Sequence, residues 1–167
     1  MAGNWKTEGS RMKVVIGIDP GVTGAIAVLN AENRSIVELV DMPTAPDRNG
    51  RKQKVSGSGI ARLLNPYPKD SVQRVFLERV SAMPGQGVTS MFNFGRAFGA
   101  AESAIAALSL PLSYVTPQQW KRSARLIGQH KDASRGRVLD LYPDADVRRK
   151  KDNGRADAVL IALYGHH

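Results

Sequence analysis

The chain has 167 residues, enough for one domain with a single core and too short for two large lobes. It contains no cysteine, which excludes disulfides, thiolate metal sites and cysteine nucleophiles and fits a reducing, intracellular setting. Its 24 Lys and Arg against 15 Asp and Glu give a formal charge of +9, spread along the chain, which points to a polyanionic partner and to nucleic acid first.

Residues 1–11, MAGNWKTEGSR, are polar and aperiodic and read as a disordered arm or an expression scar, leaving 12–167 as one domain. Met12 to Ile18 is a nearly continuous β-branched run, the pattern of a strand buried on both faces. It stops on Asp19 and breaks into Pro20, Gly21 and Gly24. Gly24 to Leu29 and Ser35 to Val40 read as two more strands joined by a turn at Asn30–Asn33, making a three-stranded meander. Residues 43–58 carry Pro43, Pro46, Gly50 and the cations Arg48, Arg51, Lys52 and Lys54, and are expected to form an exposed loop. A short helix over Gly59–Leu64 precedes a strand within Val72–Val80 and a loop, SAMPGQGVTS, at 81–90. A helix of small residues spans Met91–Leu108, Pro111–Val115 is a fifth strand, and helices follow over Pro117–Leu126, Lys131–Leu141 and about Arg155–Tyr164. This order predicts an α/β domain with a five-stranded mixed sheet flanked by helices. No apolar run approaches the roughly 20 residues that span a bilayer, so no membrane contact is expected.

Three acids interrupt these apolar elements. Asp19 ends the first strand, Glu78 lies near the end of the fourth, and Asp157 sits in the first turn of the last helix, with Asp152 and Asn153 just ahead. Each has an ordinary alternative: Asp19 can cap a turn, and Asp157 can face a helix macrodipole. Glu78 has a weaker one, because Arg79 beside it points to the opposite face of the strand. Ionised carboxylates at such positions are costly unless paired. A shared cation satisfies all three at once. Oxygen ligands suit Mg²⁺, with Mn²⁺ as a substitute, and two ions about 3.5–4 Å apart clamp the attacking and leaving oxygens of a phosphodiester.

The ordered motifs GIDPG with TG at 17–24, FLERV at 76–80, TPQQWK at 116–121, HKD at 130–132 and KKDNGRADAVLIALYG at 150–165 resemble RuvC-type Holliday junction resolvases, above all the small phage-type and chloroplast-type branches. The resemblance runs from residue 13 to 165. It implies a ribonuclease H-like fold, a homodimer, and Mg²⁺-dependent hydrolysis that places symmetric nicks in a four-way DNA junction. It also implies the cytoplasm of a bacterial or phage-infected cell, or an organelle interior for a chloroplast-type member. By the same resemblance Asp19, Glu78 and Asp157 are metal ligands and catalytic acids. The family's fourth acid or histidine, three residues before the last one, is replaced by Gly154, so Asp152, the amide of Asn153 or a water is expected to supply the missing oxygen. Lys121 and Lys131 correspond to lysines near the scissile phosphate, where they stabilise developing charge.

Arg79, Arg96, Arg122, Arg125 and Arg135 are candidate phosphate contacts, and Arg51, Lys52 and Lys54 form part of a basic loop able to clamp a DNA arm. Met83 and Gln86 lie in the loop that the resemblance places at the open junction centre. Phe92, just beyond, is a further candidate to stack there, with a place in the core as its more ordinary role. Gly95, Gly99, Ala100, Ala101, Ala104 and Ala107 give the long helix a small-residue face for a two-fold dimer or for its own sheet. The alternatives are another ribonuclease H-like nuclease, acting on RNA–DNA hybrids or flaps, and a junction-binding protein that does not cut. DPGVTG also resembles the phosphate loop of actin-like ATPases, which the length excludes.

Overall fold

The computed structural model describes residues 12–166, so the arm expected at 1–11 lies outside the described residues. Strand β1 (Val14–Asp19) occupies the middle of the sheet, antiparallel to β2 (Ala25–Asn30). β3 (Ile36–Asp41) completes the expected meander. Asn30 makes the connecting turn, its side-chain carbonyl accepting from the Glu32 and Asn33 amides at 2.8 and 3.2 Å.

Residues 43–58 do not form the expected exposed loop. β4 (Thr44–Pro46) and β5 (Gln53–Val55) pair as a separate antiparallel ribbon. Asp47 closes its tip by accepting from the Asn49 and Arg51 amides, Gly50 takes φ +67°, and Val55 reaches the core. The prolines and cations marked this segment as loop-like. Yet Pro46 needs no amide donor at the end of an edge strand, and one buried valine anchors the ribbon.

Helix α1 (Gly57–Leu64) starts where Ser56 accepts from the Gly59 amide at 3.0 Å. β6 (Val72–Glu78) then runs parallel to β1 on its other side. Helix α2 (Val88–Ala107) begins one turn earlier than its apolar pattern predicts, and β7 (Leu112–Val115) pairs parallel with β6 to close the sheet order β3-β2-β1-β6-β7. α3 (Pro117–Ser123), α4 (Ala133–Leu141), a 3₁₀ turn over Lys150–Asp152 and α5 (Asn153–Tyr164) follow. α3 stops short of Leu126, and the chain beyond it turns through positive φ at Arg125 and Gly128.

The sheet separates two cores, and the two-residue period of the strands assigns side chains to them. Val14, Ile16, Ile18, Ile26, Val28, Val75 and Leu77 face α1 and α2. Ala25, Ala27, Leu29 and Phe76 pack with Trp120 and α5 on the other face. At Gly17 a Cβ would lie 2.2 Å from the Ala158 carbonyl oxygen, so α5 rests its backbone directly on β1. Arg155, whose side chain is only 13% exposed, ties the start of α5 to Asp41 and Asp146 with ion pairs of 2.6 Å each.

Candidate active site

Strand parity puts the first two acids on the α5 face. Asp19 follows Val15 and Gly17, and Glu78 follows Phe76, while their neighbours Ile18 and Leu77 point into the opposite core. β1 and β6 are adjacent and parallel, so both acids emerge at the same end of the sheet. α5 brings the third. It starts at Asn153, so Asp157 lies beyond the helix's first turn rather than in it, and the macrodipole does not account for its placement.

The three carboxylates sense one another. Burial pushes the Asp19 carboxyl up to about 8, with Glu78 and then Asp157 adding to the rise. Glu78, 9% exposed, is raised first by burial and further by Asp157, against the opposing hydrogen bond from Trp120. Burial also raises Asp157, partly offset by a hydrogen bond from Ser134 and by Lys121. Lys121 is the cation that acts on all three. Among the described residues this is one lysine for three desolvated acids, which leaves the site rich in negative charge, and Asp157 Oδ1 is buried with no hydrogen-bond partner among them. That orphaned oxygen and the all-oxygen donor set fit a hard divalent cation. Among the described residues no three His, Asp or Glu groups stand close enough to hold an ion as they are, so the coupling of the three acids is electrostatic.

Neither side chain expected as a fourth ligand opens onto this cluster. Asp152 is 2% exposed, and its carboxylate is taken by Arg149, whose amide donates at 2.8 Å and whose guanidinium closes at 2.9 Å. Burial alone raises the Asp152 carboxyl, but the Arg149 donors outweigh it and hold it below the usual range. Asn153 is equally engaged: its carbonyl oxygen accepts from Arg135 Nε at 2.8 Å and its amide donates to Asp132 at 3.2 Å. At Gly154 a Cβ would stand 2.2 Å from the Thr23 carbonyl oxygen, so the turn after Asp19 occupies the space a side chain needs.

Among the cations, Lys131 is exposed on the loop before α4 and does not appear among the charges acting on the acids. Arg135 is drawn into the Asp132–Asn153 contacts, with an ion pair to Asp132 at 3.1 Å. Arg79 lies over the Tyr114 ring, on the sheet face away from the acids. Arg122 and Arg125 are exposed at the end of α3. Arg51, Lys52 and Lys54 are exposed on the β4–β5 ribbon, and Lys52, Lys54 and Arg96 line a groove of about 830 Å³ between that ribbon and α2. Val22, from the turn after Asp19, reaches its edge.

Residues 81–90, a loop to Gly87 and then the start of α2, are exposed throughout. The loop tip is a tight turn in which Gln86 accepts from the Met83 amide through its side chain and donates its own amide to the Met83 carbonyl, with Gly85 at φ +85°. Gln86 is thus a staple, and Met83 is the side chain displayed, 62% exposed. Phe92 is not in the core. It is 65% exposed on the first turns of α2, with the Arg96 guanidinium over its ring. Ala101 and Ala104 pack on the chain's own sheet, whereas a Cβ at Gly95 or Gly99 would meet nothing within 4 Å among the described residues.

Sequence reading missed two neutral donors. Trp120, inside the TPQQWK motif, donates from Nε1 to Glu78 Oε1 at 2.7 Å. Ser134, two residues after HKD, is buried against Asp157. One lies inside a motif and the other just beyond one, but only tertiary contact gives them a partner.

No family model and no curated protein matches the chain. Solved structures do match. T. thermophilus RuvC in complex with Holliday junction substrate superposes with a TM-score of 0.67 and 21% identity over 90% of each chain. A second Thermus thermophilus RuvC structure gives 0.59 and 20% identity over 92% of this chain and 95% of that one. The chain has the ribonuclease H-like fold of these structures, with its five-stranded mixed sheet flanked by helices.

Proposed function

We propose that the chain is a Holliday junction resolvase, an endonuclease that nicks four-way DNA junctions by hydrolysis dependent on Mg²⁺ or Mn²⁺. The observation that carries the proposal is the group of three desolvated carboxylates, Asp19, Glu78 and Asp157, gathered on one sheet face with Lys121 acting on all of them. The likeness of the fold to an enzyme structure containing a Holliday junction substrate, together with the net charge of +9, supports the DNA substrate.

Asp19, Glu78 and Asp157 would hold the metal, closing on it by side-chain rotation. Two bound ions would supply an activated water and a Lewis acid for the leaving 3′ oxygen. The chain's own residues do the rest. Lys121 stands where charge builds on the scissile phosphate, and its neighbour Trp120 lies under its ammonium, 5.3 Å from Nζ to the ring centroid. Lys52, Lys54 and Arg96 bind phosphates of one arm in the groove beside α2, without reading sequence. Met83 reaches the open centre from its stapled turn. Water adds at phosphorus, the bond to the 3′ oxygen breaks, and that oxygen leaves with a proton.

The homodimer belongs to the same reading. The exposed apolar side chains Val88, Met91 and Phe92 and the open glycines of α2 form a face suited to a second copy, and a two-fold pair matches the symmetry of the junction. No helix among the described residues is long and apolar enough to cross a membrane, and we place the work in the cytoplasm or an organelle interior.

The closed space at Gly154 and the engaged side chains of Asp152 and Asn153 favour a second reading, a junction binder that does not cut. The test compares a four-way junction with duplex, RNA–DNA hybrid and flap, in Mg²⁺ or EDTA, for the parent and Asp19→Asn. Paired nicks on the junction alone, lost in EDTA and in Asp19→Asn while binding persists, are expected. Binding without cutting in either metal assigns the second reading, and cutting of hybrid or flap in preference to the junction assigns a different nuclease.

A further inference from the structure

We propose that Trp120 is a positioning residue, fixing which oxygen of Glu78 is presented to the divalent cation. The inference rests on the metal-nuclease reading and adds a residue to it.

The route from sequence to contact is short. β7 pairs with β6 so that Val115 stands opposite Glu78, and the Arg79 amide donates to the Val115 carbonyl at 2.8 Å. The next residue, Thr116, is the N-cap of α3 and carries a complete capping box. Its hydroxyl accepts from the Gln119 amide, and its own amide donates to Gln119 Oε1 at 2.7 Å. Pro117 at the first helical position sets the backbone angle there. The start of α3 is therefore locked to the strand end that carries Glu78. Trp120 follows one turn later, fully buried with its ring in the α5-side core. The indole has no rotational freedom to spare.

Its Nε1–H meets Glu78 Oε1 at 2.7 Å in a buried setting. An indole N–H is a donor only, so it occupies one carboxylate oxygen and never competes for a cation. It is also neutral. An Arg or Lys in that place would pair with Glu78, as Arg149 pairs with Asp152, and weaken its hold on a divalent ion. The indole instead orients Glu78 while leaving its charge available, with Oε2 outside that hydrogen bond. Hydrogen-bond partners behind a metal ligand typically change affinity by about 10–100-fold when removed.

The test uses the full chain as Trp120→Phe, which keeps an aromatic ring and removes the donor. Mn²⁺ binding by calorimetry, the Mn²⁺ concentration for half-maximal junction cleavage, and junction affinity in EDTA are measured together. The expected result is about 10–100-fold weaker Mn²⁺ binding and a matching rise in the Mn²⁺ required, with junction affinity in EDTA unchanged. A lower melting temperature with unchanged Mn²⁺ binding assigns Trp120 a packing role and overturns the proposal. A second measurement does not depend on that variant folding. Trp5 and Trp120 are the chain's two tryptophans, so in Trp5→Phe the emission comes from Trp120. Mn²⁺ should quench it along the calorimetric isotherm, and Glu78→Gln should abolish the response. Emission that stays flat while heat reports binding overturns the proposal. If the parent neither binds Mn²⁺ nor cuts the junction, the metal-nuclease reading falls and takes the proposal with it. A parent that does both, beside an unaltered Trp120→Phe, sinks the role of Trp120 alone.

Discussion

Replacing Asp19 by Asn should stabilise the metal-free protein at alkaline pH while abolishing cleavage. In the unfolded chain Asp19 titrates near 3.8, whereas burial and the neighbouring Glu78 and Asp157 raise it to about 8 in the fold. The folded state therefore holds a proton that the unfolded state has released. Stability is full below the unfolded value and is lost as pH rises from about 4 to about 8, after which the loss is complete. A rise of that size corresponds to on the order of 5 kcal/mol. Asp19 keeps some solvent contact, and screening and relaxation reduce the share that appears as stability to about half. Asn carries no charge, so Asp19→Asn should exceed the parent by about 3 kcal/mol at pH 8.5 and by about 1 kcal/mol at pH 5. For a chain of this size these differences correspond to about 6–12 °C and about 2–4 °C in melting temperature. Thermal melts in EDTA at the two pH values measure them. Added Mg²⁺ or Mn²⁺ should raise the parent and leave Asp19→Asn behind, because a ligand that binds only the folded state stabilises it. A gap that is the same at both pH values, or a variant less stable at pH 8.5, would show that Asp19 is not a desolvated member of an acid cluster.

Gly154→Ala should lower stability by about 3 kcal/mol, because overpacking against the Thr23 backbone has no side chain to yield, and Gly154→Asp should fail to add a ligand. Gly136, in α4 with open space around it, is the control: Gly136→Ala should gain about 0.5–1 kcal/mol in the same melts. Arg155→Ala removes two charged contacts that hold α5 to Asp41 and Asp146 and should cost about 1–2 kcal/mol; a melt unchanged within error would remove that tie from the account. Lys121→Ala should slow junction cleavage at saturating Mg²⁺ by about 100-fold while leaving junction affinity in EDTA within a factor of about three. Equal losses in binding and cleavage would make Lys121 an ordinary phosphate contact.

The strands and their faces were legible because a strand's side chains repeat every two residues, a rule that needs no knowledge of neighbours. Asp19 after an apolar run, and Glu78 after Phe76 and Leu77, could be placed at strand ends from the sequence alone. Their shared sheet face follows from counting in twos once β1 and β6 are known to be parallel neighbours. The small-residue helix and the final helix were readable for a similar local reason. What the sequence could not decide was which group takes which partner. Asp152 and Asn153 sit beside the acid cluster in sequence, but their oxygens are captured by Arg149 and Arg135. Gly154 closes because α5 packs against the turn at Thr23, more than a hundred residues away in the chain. Trp120 has no visible partner in the sequence until β7 and α3 bring its N–H to Glu78, and Phe92 looks like core until α2 turns it outward. Hydrogen bonds are settled by distances of a few tenths of an ångström between elements, and those distances exist only after the two layers of helices have docked on the sheet.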